Sequence, residues 1–264
     1  MELYEKSLQT LELPVILQRL SDEAVSNAAK ENALALAPSD DIFEARYRQE
    51  ETSAAKKMMS VHGAPPLGGV RDIRAAVRRA DMGGMLNTAE LLDVAALLRA
   101  AQGTIAYSGG REAGGTVIDP LLSALRANKF LEGKISGSIT GVDELADAAS
   151  AALADIRRHM RAAGDKIRSS LNRIITSNTY SKALQEPIIT MKNDRYVVPV
   201  KAEHKSSLPG LVHDISSSGA TLFIEPMAVV QLNNEIRELL AKEKKEIERI
   251  LMELSADVAA HGDE

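Results

Sequence analysis

Pro187-Ile188-Ile189-Thr190-Met191-Lys192-Asn193-Asp194-Arg195-Tyr196-Val197-Val198-Pro199-Val200 is the stretch that sets the architecture. Pro187 to Met191 and Arg195 to Val200 have strand character, and Lys192-Asn193-Asp194 between them has the chemistry of a tight turn. Two more short runs follow, Gly210 to Ile215 and Ala220 to Ile224, around the polar link Ser216-Ser217-Ser218-Gly219. Four short strands make a small mixed or antiparallel unit.

Outward from this unit the period of the apolar residues changes to that of a helix. Leu145, Ala149, Ala152, Ile156, Met160, Ala163, Ile167, Leu171 and Ile174 keep spacings of three and four. They predict one buried stripe on a helix of about 30 residues, about 45 Å long, which suits a coiled-coil arm better than a compact bundle. After Pro226, Leu232, Ile236, Leu240, Ile247, Leu251, Leu254 and Val258 form a second stripe, interrupted by Lys244. The expected fold class is mainly α: a helical core with two long antiparallel helices carrying a small four-stranded, β-containing head. The expected divisions are a helical core over 1–141, an outgoing arm over 142–186, the head over 187–226 and a returning arm over 227–264. The second stripe is still strong where the sequence stops, so the chain reads as a segment of a larger protein.

The first 141 residues read as shorter helices. Leu13, Ile16, Leu17 and Leu20 share a face behind Pro14; a second helix is expected from Asp22 to Leu36; Ser39-Asp40-Asp41 caps a third through Phe43 and Tyr47 to Met59. Gly63 to Gly69 is a break, and helices are expected at Asp72–Ala80, Thr88–Tyr107 (Leu86 stapling its entry) and Pro120–Ala127. Ser108–Gly115 and Gly133–Gly141 read as loops.

Composition agrees with helix packing. Of 264 residues 45% are hydrophobic but only 3% aromatic, so the core is built from small aliphatic side chains. There is no Cys, which removes disulfides and thiolate metal sites. No stretch of 18 apolar residues occurs, no basic leader opens the sequence, and a cytoplasmic location without membrane contact is expected.

A formal charge of -5 does not suggest a polyanion ligand unless positive charge is local. Locally it is. Arg157, Arg158, Arg161, Lys166, Arg168, Arg173 and Lys182 are opposed between 157 and 182 only by Asp165, and the head adds Lys192, Arg195, Lys201, His204, Lys205 and His213. The returning helix carries Glu235, Glu238, Glu243, Glu246, Glu248 and Glu253. Sequence-independent phosphate contacts by Lys192, Arg195, Lys201, His204, Lys205 and the basic arm follow from this pattern. The same residues also read as a solvated helix face paired with its acidic neighbour. Tyr196 reads either as a platform for a base or as core.

Catalytic motifs are absent. Gly109–Gly115, Gly133–Gly137 and Ser216–Thr221 lack the spacing and the Lys-Ser/Thr ending of a phosphate-binding loop. The five His make no HExxH pattern. His204 and His213 with Glu203 and Asp214 are the one set that convergence in the head would turn into a metal site, and two loop histidines account for them as well. The serines beside His213 lie in no nucleophile-elbow pattern. Neither a catalytic nor a metal-ligating residue is assigned.

Two stretches carry a family resemblance: the quoted one extended through Lys201-Ala202-Glu203, and Pro209-Gly210-Leu211-Val212-His213-Asp214-Ile215-Ser216-Ser217-Ser218-Gly219-Ala220-Thr221-Leu222-Phe223-Ile224-Glu225-Pro226. With Asn233-Asn234-Glu235-Ile236-Arg237-Glu238-Leu239 they resemble the short second paralogue of the MutS family, and the first 140 residues resemble its helical core more loosely. The resemblance implies a lever and clamp, with Pro199, Gly210, His213, Asp214, Gly219 and Pro226 as the clamp's structural motif; Pro199, Gly210, Gly219 and Pro226 also read simply as residues that fix strand turns. It further implies a homodimeric parent using ATP and Mg in a domain outside this chain, usually with a nuclease domain, acting on branched or duplex DNA and suppressing homologous recombination. An rRNA-contacting role in splitting stalled ribosomes and a purely structural dimerisation module are the alternatives.

Overall fold

The structure is a computed structural model, and it describes residues 2–108 and 115–263. In chain order the helices α1 (Glu2–Thr10), α2 (Leu13–Glu23), α3 (Asn27–Leu34), α4 (Ile42–His62), α5 (Arg74–Asp81), α6 (Thr88–Ser108), α7 (Asp119–Ser123) and α8 (Lys129–Ser138) come first. The ribbon β1 (Ile139–Gly141) and β2 (Glu144–Leu145) precedes α9 (Ala151–Ile175). Strands β3 (Thr190–Lys192), β4 (Arg195–Lys201), β5 (Gly210–Ile215) and β6 (Thr221–Pro226) follow, and α10 (Val230–Ala260) closes the chain. The fold is mainly α with a small four-stranded sheet, as the sequence predicts, and a separate two-stranded ribbon. The chain forms two compact units, Met1–Ala146 with Leu251–Glu264, and Asp147–Ile250.

In the first unit a buried core joins α6, α8 and the end of α10. Leu86, Leu91 and Ile135 are fully buried, and the buried Ser255 hydroxyl accepts the Leu86 N–H at 2.8 Å. The entry to α6 is a reciprocal capping box. Asn87 Oδ1 accepts the Glu90 N–H at 2.9 Å, and Glu90 Oε2 accepts the Asn87 N–H at 3.0 Å. Lys134 on α8 reaches Glu253 and Asp257, each at 2.7 Å.

Two local expectations are corrected here. Gly133–Gly141 is not a loop: Asn128 caps α8 by accepting the Leu131 N–H, and Leu131, Ile135 and Ser138 recur at spacings of four and three on its buried face. That apolar period outweighs the helix cost of two glycines. Second, Ile16 and Leu20 face solvent while Leu13 and Leu17 are half-buried, because α2 packs chiefly on α1 and α3. The third helix is present as α4, capped by Asp41, with Phe43 and Tyr47 exposed. Of the glycine-rich stretch 108–115, residues 109–114 lie outside the described residues.

In the second unit α9 starts later than its stripe implied. Leu145 pairs in the β ribbon, and Ser150 caps α9 by accepting the Leu153 N–H, so the helix has 25 residues. The stripe continues through Ala163, Ile167 and Leu171. These pack with Val198, Val200, Leu222 and Ile224, which share a sheet face as the cross-strand pairs Val198–Ile224 and Val200–Leu222. The sheet is antiparallel in the order β3-β4-β6-β5. Asn193 and Asp194, with φ of 51° and 59°, form the left-handed two-residue turn of the β3–β4 hairpin. α9 and α10 run antiparallel within this unit: Ser150 meets Glu246, and Arg157 meets Glu243. On α10 it is Leu239 that is buried, with Leu240 exposed, because the stripe follows Asn233, Ile236 and Leu239.

Candidate nucleic-acid interface

The head is tied together by a polar cluster around Glu225, the last acidic residue of β6 and fully buried. Arg195 Nη1 donates to both its oxygens at 2.7 and 3.0 Å, Asn233 Nδ2 donates at 2.7 Å, and His213 Nε2 is bonded to Oε2. A second Arg195 nitrogen donates to Asn234 Oδ1 at 2.6 Å. A bulge in β5 between Val212 and Asp214 turns His213 toward this carboxylate.

Asn233 has a second role. Its Oδ1 accepts the Tyr196 N–H at 3.1 Å and its Nδ2 donates to the Tyr196 carbonyl at 3.2 Å. The β4–β6 register pairs Val198 with Ile224, so two residues on Tyr196 would face Pro226, which has no N–H to offer. The Asn233 amide stands in for the missing strand.

The turn residues named from sequence each have a defined place. Pro199 lies in β4 beyond the end of β3, where its carbonyl accepts the Gln185 N–H at 2.9 Å. A Cβ on Gly210 would lie 2.3 Å from the Glu225 carbonyl oxygen, so only glycine lets β5 close on β6 there. Gly219, with φ of 73°, closes the β5–β6 turn, donating to the Ser216 carbonyl at 2.8 Å. Pro226 ends β6, and Asp214 receives Lys192 at 2.9 Å.

The structure sorts the basic candidates into two groups. Arg195 is committed to Glu225 and Asn234 and is 13% exposed. Arg157 bridges Asp147 at 2.8 Å and Glu243 at 2.6 Å, Arg161 adds to Asp147 at 3.2 Å, and Arg158 pairs with Asp155. Lys192 sits between Asp214 and the Phe223 ring, 4.4 Å from its centroid. His204 approaches Glu203 at 3.7 Å. These contacts mark the carboxylates. The Lys192 hydrogen bond holds Asp214 below the ordinary carboxylate range, and Arg157, then Arg161, does the same for Asp147. Arg249, then Ser150, brings Glu246 down to about 2.

The second group has no acidic partner among the described residues: Lys166, Arg168, Arg173, Lys182, Lys201 and Lys205. The Lys201 N–H donates to the carbonyl of Ala183, the residue after Lys182, at 2.9 Å. Charge also divides between the units. Residues 147–250 hold 16 Lys and Arg against 13 Asp and Glu, a formal +3, and the rest of the chain carries -8. The returning helix is less acidic than its glutamates suggested, because Arg237, Lys242, Lys244, Lys245 and Arg249 are interspersed with them.

Beside the free cations lies an open cleft of about 420 Å³, between α9 and the β3 edge. Arg168, Asn172, Ile189, Thr190, Met191 and Tyr196 line it. Tyr196 is thus both half-buried against the core and part of a surface cleft.

Of the glycine-containing stretches, Gly133–Gly137 and Ser216–Thr221 lie among the described residues. Gly133 and Gly137 are helical, and in the Ser216–Thr221 turn the Ser216 and Ser218 hydroxyls are bonded within the hairpin. Among the described residues no group of three His, Asp or Glu is placed to hold a metal ion, and no helix is long and apolar enough to cross a membrane. The residues that sequence reading missed are Glu225, Asn233 and Asn234. The available signal was an acid at a strand position between Ile224 and Pro226, with Arg195 and His213 as complements within the same four strands.

No family model matches the chain. Curated relatives do. The endonuclease MutS2 of Acetivibrio thermocellus is 45% identical over 257 residues, covering 96% of this chain and 32% of that protein. That of Ruminiclostridium cellulolyticum is 46% identical over 257 residues, with 97% and 32% covered, and that of Alkaliphilus metalliredigens 44% over 262 residues, with 98% and 33%. Collinear identity at this level through both units places the chain in the endonuclease MutS2 family, of whose members it spans about one third of the length.

Proposed function

We propose that the unit 147–250 is a clamp-like head that contacts the phosphate backbone of DNA without reading sequence. The observation that carries the reading is the segregation of charge. A unit of formal +3 in a chain of -5 keeps Lys166, Arg168, Arg173, Lys182, Lys201 and Lys205 free of acidic partners. Unpaired Lys and Arg release counterions from a phosphate backbone, and affinity then falls steeply with salt. No recognition-helix motif accompanies them, so shape rather than base identity sets the preference. Arg195, Arg157, Arg158, Arg161 and Lys192 hold the head's own structure in this reading, and His204 stays at its margin.

The relatives are named endonucleases, which fits a protein acting on nucleic acid. Cutting, ATP hydrolysis with Mg and homodimer formation belong, in this proposal, to the two thirds of the relatives' length that this chain does not span. Branched recombination intermediates are the proposed DNA form. The test is binding of the 264-residue chain to labelled duplex, four-way-junction DNA and structured RNA across a salt series, beside a variant with Lys166, Arg168, Arg173, Lys201 and Lys205 changed to Ala. Salt-dependent DNA binding lost in the variant supports the reading, and preferred binding of structured RNA redirects it to rRNA. Equal binding by both proteins, or none by either, refutes it.

A further inference from the structure

The cleft between α9 and β3 gathers polar side chains that have no protein partner among the described residues. The Arg168 guanidinium, the Asn172 side-chain amide, and the Thr190 and Tyr196 hydroxyls all line it or belong to residues that do. None of the four makes a side-chain hydrogen bond or ion pair among the described residues. No buried polar side-chain atom in the described residues lacks a partner, so these four groups are open to solvent. Tyr196 crosses from β4 to α9: a Cβ on Gly164 would lie 3.8 Å from its hydroxyl oxygen. Ile189 and Met191 make up the apolar part of the lining.

We infer that this cleft takes a single unstacked nucleotide of a nucleic-acid strand, and that the head therefore favours an unpaired nucleotide over continuous duplex. The inference rests on the nucleic-acid reading above. One cation matches the one negative charge of a phosphodiester, and Arg168 is placed to offer it a two-pronged contact. The Asn172 amide holds a donor and an acceptor side by side, the pattern that complements a base edge. The two hydroxyls suit a sugar or a base, and Ile189, Met191 and the Tyr196 ring give a base face an apolar and aromatic wall. About 420 Å³ is in the range of small-ligand pockets and far too small for a duplex. Drawing a paired base out of a duplex costs a few kcal/mol, a cost that an already unpaired nucleotide avoids.

The test compares the full 264-residue chain on two DNAs of equal length, a continuous duplex and the same duplex with one extra unpaired 2-aminopurine nucleotide. The expected result is about tenfold tighter binding of the bulged DNA, with a change in 2-aminopurine emission on binding. Asn172→Ala lies on an exposed helix face, and circular dichroism checks its fold. It is expected to lose the preference and the emission change while holding duplex affinity within about twofold. Equal wild-type affinity for the two DNAs, or an unaltered preference in Asn172→Ala, overturns the cleft assignment and leaves the backbone reading standing. Absence of binding to either DNA by folded protein overturns both.

Discussion

Replacing Arg195 by Ala is the sharpest way to separate structure from ligand contact in the head. The side chain is 13% exposed and its partner Glu225 is fully buried, so the substitution leaves a buried carboxyl group that keeps only His213 and Asn233. Removing one member of a buried ion pair costs about 3–5 kcal/mol. Arg158→Ala is the control, since its Asp155 pair is solvent-exposed on both sides and is worth about 0–1 kcal/mol. The two units need not unfold together, so the readout is hydrogen exchange of peptides across 195–226 rather than one global melt. The expected outcome is more than a hundredfold faster exchange through opening in Arg195→Ala and little change in Arg158→Ala. An Arg195→Ala head as protected as wild type, yet weakened in DNA binding, would refute the assignment of Arg195 to structure and return it to the phosphate-contacting group.

Further outcomes follow from neighbouring geometry. Asn233→Ala removes both partners of the Tyr196 backbone and is expected to destabilise 147–250 by about 2–3 kcal/mol, read by exchange of the Tyr196 amide. Gly210→Ala drives a methyl against the Glu225 carbonyl and is expected to cost about 1–3 kcal/mol, measured by urea unfolding. Acid should loosen the same unit. Glu246, down to about 2 from 4.5, and the lowered Asp147 and Asp214 give stability that is present above the unfolded carboxylate range and is lost as pH falls through the folded values. Protection is therefore flat above about pH 5 and declines toward about pH 2. A Glu246→Gln variant should show a shallower decline, by about 1 kcal/mol after solvent screening.

Sequence and structure agree where one physical rule dominates. The β3–β4 turn was legible because two adjacent polar residues that tolerate positive φ sit between strand-like runs. The α9 stripe was legible because Ala163, Ile167 and Leu171 bury one face. Disagreement arose where two rules compete. Gly133 and Gly137 argued for a loop, and the spacing of Leu131, Ile135 and Ser138 prevailed through packing. The start of α9 was misplaced because Leu145 has the right spacing but pairs in a ribbon, and only the Ser150 cap marks the true beginning. At the candidate interface, sequence marked the basic segment as a region but had no means of telling Arg195 from Arg168. That distinction depends on which carboxylates the fold brings within reach, and Glu225 comes 30 residues after Arg195.

The borrowed strand contact made by Asn233 fixes where this head can be cut from its surroundings. A piece ending with the last strand at Pro226 would leave the Tyr196 backbone bare and Glu225 without its amide donor, although every strand would be present. The smallest transferable module runs at least through Asn234, and the spacing from Glu225 to Asn233 has to be kept to the residue. An insertion of one residue between them would turn the amide about 100° away around the helix and close the head on the wrong side chain.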